Sequence, residues 1–126
     1  MSTRTQIIVA GNEEIKIYKH CDGYPSGVCP TLAKLLPKFK TARGWDPQNL
    51  TAHISAAFIA EDDGFYGHGL DCEWHGDIEY AYRVEPDFSV TICERQWDKD
   101  PNFKMGVNVP LEKLDDVDDD ICSPIT

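Results

Sequence analysis

Ile17-Tyr-Lys-His-Cys-Asp-Gly-Tyr-Pro-Ser-Gly-Val-Cys29 is the stretch on which the fold turns. Before it the apolar residues alternate, as in a strand with one wet face. After it they recur at helical spacing. Between the two periods stand Asp22-Gly23 and Pro25-Ser26-Gly27, residue types that favour turns for separate reasons of backbone geometry. The segment therefore predicts a strand, a rigid double turn and the start of a helix.

Working back from it, Thr5–Ala10 and Glu14–Lys19 are short β-rich runs joined by Gly11-Asn12-Glu13, the pattern of a hairpin. Ile15 and Ile17 alternate with Lys16 in the second run. Working forward, Val28, Leu32, Leu35, Leu36 and Phe39 form one core-facing helical stripe. Pro37 lacks an N–H and biases its predecessor away from helix, so the spacing predicts a first helix ending near Leu36. Asp46 and Pro47 are an N-cap and first-turn pair for a second helix, with Leu50, His53, Ile54, Ala57 and Phe58 inward. His53 on that face reads as a satisfied core histidine. The glycine-rich Phe65–Gly69 follows as a loop, then strand patterns at Asp71–Trp74, Ile78–Val84 and Phe88–Glu94. The order ββααβββ predicts an α+β fold, an antiparallel sheet of about five strands with both helices packed on one face.

The chain has 126 residues and a net charge of −10. That length suits one domain that buries roughly 65–70% of its unfolded surface without metal or disulfide help. Periodicity fades beyond Arg95, which divides the chain into a compact domain, 1–95, and an extension, 96–126. Within the extension Trp97, Phe103, Met105, Val107 and Val109 suggest a wrapping segment or an edge strand. Its acidic end is expected to be flexible. Glu112, Asp115, Asp116, Asp118, Asp119 and Asp120 against Lys113 give residues 112–126 a charge of −5.

Such acidity disfavours direct binding to a phosphate backbone and favours a protein partner with a basic surface. No apolar run reaches the roughly 20 residues that span a bilayer, and the opening residues lack a signal-peptide core, so no membrane association and a cytoplasmic location are expected. Five cysteines without a Cys-x-x-Cys pair predict free thiols.

Catalytic and metal motifs are sparse. Cys72 and His75 have a usable ligand spacing, and His20, Cys21 and Cys29 lie close in sequence, but no finger or ribbon pattern follows. Cys29 at a helix start would have its thiol pKa lowered by the dipole, and Cys21 adjoins His20. No nucleophile motif, P-loop or dinucleotide fingerprint surrounds them. Neither an enzymatic activity nor a cofactor is assigned. Recognition is the expected role, with Tyr18, His20, Asp22 and Tyr24 on the rigid loop and Glu73, Asp77 and Glu79 as the folded acidic cluster. The alternative is a small ligand- or metal-binding domain using the His20–Tyr24 loop.

Tyr18-Lys-His-Cys-Asp-Gly-Tyr-Pro-Ser-Gly27 ahead of an apolar helix resembles a signature of small bacteriophage- and prophage-encoded proteins, Tyr-basic-His-x-Asp-Gly-Tyr-Pro-x-Gly. Cys72–Val84 is similar to their later strands, and the resemblance covers about residues 6–94. It implies a compact α+β domain acting in a bacterial host cell, not a particular activity. Together with small size and acidity, it implies a phage accessory protein that binds and modulates, by inhibition, a host protein such as a host-defence component.

Overall fold

The computed structural model describes residues 3–62, 67–96 and 105–122. Its architecture is α+β: β1 (Thr5–Val9), β2 (Lys16–Lys19), α1 (Pro25–Arg43), α2 (Pro47–Glu61), β3 (Gly69–Asp71), β4 (Tyr80–Val84), β5 (Val90–Glu94) and β6 (Val107–Val109), followed by a 3₁₀ helix, η1 (Leu111–Asp116). The six strands form one sheet in the order β3-β2-β1-β4-β5-β6. The predicted hairpin is present, with Ile7 opposite Ile17 and Thr5 opposite Lys19.

One pairing departs from the antiparallel expectation. β1 and β4 run parallel, with Thr5 beside Tyr80 and Val9 beside Val84. The chain leaves β3 at the sheet edge and crosses β2 and β1 through residues 72–79, with no intervening helix. Gln6, fully buried on β1, holds that crossing in place. Its Oε1 accepts from His75 N at 2.8 Å, and its Nε2 donates to the Glu73 carbonyl at 3.0 Å. Strand alternation is the same for parallel and antiparallel neighbours, so periodicity could not report the direction.

The core lies between the helices and one sheet face. Ile7, Val9, Ile17, Tyr82, Val84, Val90 and Ile92 meet Val28, Leu32, Leu36 and Phe39 of α1 and Leu50, Ile54 and Phe58 of α2. α1 does not stop at Leu36 but continues through Pro30 and Pro37 to Arg43. An interior proline costs a helix about 3 kcal/mol. The apolar stripe nevertheless extends past Pro37 to Phe39, and Lys40 and Arg43 suit the negative end of the helix dipole. Burial of Leu36 and Phe39 outweighs local propensity. α2 begins as expected, with the Asp46 side chain accepting from Asn49 N and Pro47 in the first turn.

The boundary expected at residue 95 is not where the core ends. β6 pairs with β5, and Leu114, Val117 and Cys122 join the same apolar cluster as the strands. The acidic segment is a strap packed along α1. Trp97 and Phe103 lie outside the described residues, as do Phe65 and Tyr66 of the expected Phe65–Gly69 loop.

Candidate functional site

β2 ends with alternate side chains going to opposite faces of the sheet, and this splits the expected site residues. Lys19 goes to the helix side, while Tyr18 and His20 stay on the uncovered face. The chain then turns at Asp22, a non-glycine residue with φ of 55°. Gly23 passes so close to β1 that an added Cβ would lie 2.8 Å from the Thr3 carbonyl oxygen. Its own N donates to that oxygen at 2.9 Å. The buried Tyr82 hydroxyl donates to the Gly23 carbonyl at 2.7 Å.

Tyr24 occupies the N-cap position of α1 but offers no side-chain cap. Its hydroxyl donates instead to Asp22 Oδ1 at 3.0 Å, and this bond first of all, with the charge of Asp22 next, raises its pKa. The missing cap comes from far along the chain. Asp119 accepts from Ser26 N at 2.7 Å and from Ser26 Oγ at 3.0 Å. A carboxylate there satisfies an orphan helix N–H and matches the helix dipole. Asp119→Ala is expected to lower stability by about 1 kcal/mol. Asp118→Ala, at an exposed neighbour, should stay within about 0.5 kcal/mol of wild type. Chemical denaturation of the two variants side by side checks this.

On the helix side, Lys19 is 1% exposed and its Nζ donates to Asp62 Oδ2 at 2.6 Å and to the Cys21 carbonyl at 2.7 Å. It also faces the Phe58 ring. His68 Nε2 donates to the same Asp62 oxygen at 2.6 Å. Burial alone would push the Asp62 carboxyl up, but the hydrogen bonds from Lys19 and His68 more than reverse it, leaving its pKa below the ordinary value. None of the three is among the residues that the sequence points to. The signal was present in part, since Lys19 shares a strand face with Ile15 and Ile17 and a lysine on an apolar face demands a partner.

On the uncovered face, the Tyr18 ring stacks on His75 with centroids 4.4 Å apart, and its hydroxyl is hydrogen-bonded to His20 Nδ1 at 3.0 Å. Burial first, then Asp77, push the Tyr18 phenol pKa up against the opposing effect of Arg4. His75 Nε2 donates to Asp71 Oδ2 at 2.7 Å, the main reason the Asp71 carboxyl is depressed. Asp77 pairs with Arg4 at 2.7 Å. Backbone bonds set Arg4, Glu79 and Arg95 abreast, each next to the end of β1, β4 or β5. Glu73 contributes its carbonyl to the Gln6 clamp, with its residue exposed. Asp77 and Glu79 thus sit among Arg4 and Arg95, in a surface of mixed charge, while Glu73 lies beside Gln6 and Asp71.

Neither thiol of the central stretch, Cys21 or Cys29, is activated. Cys29 is fully buried, and burial pushes its pKa up to about 12, overriding the lowering expected from its place near the start of α1. Burial, followed by the charge of Asp62, also raises Cys21. Among the described residues, no group of three or more His, Cys, Asp or Glu side chains is arranged to hold a metal ion. Nor is any described helix long and apolar enough to cross a membrane.

Two candidate surfaces therefore meet at one end of the sheet. Asp22, Tyr24 and Asp119 lie on the helix side; Tyr18, His20, His75 and Asp77 lie on the uncovered side. Compared with known proteins, the chain matches no family model, no curated protein and no solved structure.

Proposed function

We propose that this protein is a phage-encoded accessory factor that binds a basic surface of a host protein and modulates it, with a host-defence component as the target class. The observation that carries this reading is the pair of hydrogen bonds from Ser26 to Asp119. They bring the acidic strap against the Asp22–Tyr24 turn, so the loop and the acidic segment, far apart in sequence, form one contact surface. Asp22 and Asp119 then flank Tyr24, with Asp118 and Asp120 next to Asp119 in the strap, on a turn that loses little entropy on binding. Exposed carboxylates of this kind attract and orient a basic partner, and they do so less as salt rises.

The test is capture of a bacterial partner by wild type beside two variants. One, Asp22→Asn/Tyr24→Ala, keeps a residue at position 22 that tolerates positive φ. The other, Asp115→Asn/Asp116→Asn/Asp118→Asn/Asp120→Asn, removes strap charge and leaves the Asp119 cap intact. A stoichiometric basic protein is expected with wild type, bound at least about tenfold more weakly by either variant and released as salt shortens the screening length. Equal capture by all three, unaffected by salt, would overturn the reading.

A further inference from the structure

Between the second half of α1 and η1 lies an open groove of about 760 Å³, within the size range of roughly 300–1,000 Å³ usual for small-molecule sites. The α1 wall carries Lys34 and Lys40. The facing wall carries Glu112 and Asp115, and Asp87 also lines the groove. Opposite charges lining one groove attract each other. Among the described residues, none of these five side chains forms an ion pair.

The walls cannot simply collapse, because the strap is anchored on both sides of η1. Before it, β6 is hydrogen-bonded to β5. Within and after it, Leu114 is fully buried and Asp119 clasps Ser26. The groove is also not a bare charged channel. Ala33 and Pro37 contribute apolar surface, and Asn108 lies at its edge with Nδ2 donating to Ser89 Oγ at 2.9 Å. Asp87 is held by the same Ser89, whose Oγ donates to it at 2.6 Å.

We propose that this groove binds a zwitterionic small molecule, an ammonium and a carboxylate joined by a short linker, as in an amino acid or a dipeptide. Its carboxylate lies against Lys34 and Lys40, and its ammonium against Glu112 and Asp115. The argument is one of exclusion by charge. An anion alone would meet three carboxylates, and a cation alone would meet two ammonium groups. Only a ligand carrying both signs turns every wall charge into an attraction.

Amide NMR with a series of unbranched ω-amino acids, from glycine to aminohexanoate, tests this at constant ionic strength. Each compound is run beside its N-acetylated and its amidated counterpart. Saturable shifts confined to the groove are expected, with an optimum linker length and a dissociation constant of about 1 mM. Capping either end of the ligand should weaken binding at least about tenfold, as should Lys34→Gln/Lys40→Gln or Glu112→Gln/Asp115→Asn. These residues are exposed, and the same spectra report that each variant is folded. The proposal is overturned if no compound saturates, if capped and uncapped forms act alike, or if shifts spread over the whole protein.

Discussion

Asp62→Ala is expected to destabilise the protein by about 3–5 kcal/mol, because it leaves a buried charge without its partner. Lys19 is 1% exposed, and among the described residues Asp62 is the carboxylate paired with it. The Cys21 carbonyl and the Phe58 ring remain as partners, but neither carries a compensating charge. The same substitution removes the acceptor of His68. Lys19→Met should behave quite differently, since it removes the ammonium that requires compensation and keeps much of the volume. Its cost should be a small fraction of the loss in Asp62→Ala, because replacing a buried charge by an apolar chain is often tolerated. In the double variant the two losses should not add, which a double-mutant cycle measures directly.

The trio also predicts a pH dependence. Asp62 is depressed in the folded state, so its contribution is fully present above the ordinary carboxylate value of 3.8. That contribution is lost as the pH falls through the lower, folded value. Acid titration of stability should therefore show a steeper loss below about pH 4 in wild type than in Lys19→Met/Asp62→Ala. Parallel acid limbs in the two proteins would show that Asp62 is not depressed by its partners.

Gly27→Ala should be nearly as damaging, for a purely steric reason. A Cβ at this position would lie 2.1 Å from the backbone oxygen of Asp22 and 3.0 Å from its carbonyl carbon. The obstructing atoms are main chain and cannot swing aside as a side chain would. Asp22 is already at positive φ, and the next residue, Gly23, is pressed against Thr3. Forcing the loop outward would strain the Gly23 contacts and the Ser26–Asp119 cap together. A loss of about 3 kcal/mol is expected, at the upper end of overpacking penalties. Gly76→Ala, with no atom within 4 Å of its added Cβ and no positive φ, is the comparison and should stay within about 0.5 kcal/mol of wild type. Thermal melts showing Gly27→Ala no worse than Gly76→Ala would refute the close-approach argument.

Local order was open to direct reading wherever a few neighbouring residues decide it. Asp46-Pro47 starts α2, Gly11 turns the hairpin at a φ of 88°, and Tyr80–Val84 alternates as a strand must. The turn at Asp22-Gly23 was equally legible, and so was the α+β composition, whereas Pro25-Ser26-Gly27, expected as a second turn, is the first turn of α1. In each case the energy that decides the conformation is local, so the signal lies within one or two turns of chain.

What tertiary structure decided is what depends on distant partners. The parallel pairing of β1 with β4 leaves no trace in side-chain alternation, which records buried faces and not strand direction. α1 runs through Pro37 because the sheet offers burial to Leu36 and Phe39, a gain that the helix cannot know by itself. The acidic strap belongs to the fold because Leu114 reaches the core and Asp119 caps a helix 93 positions away in sequence. Lys19 finds Asp62 across 43 positions. Composition sets how much charge the chain carries, but only the packed structure brings an acid beside the lysine, or the helix end, that it stabilises.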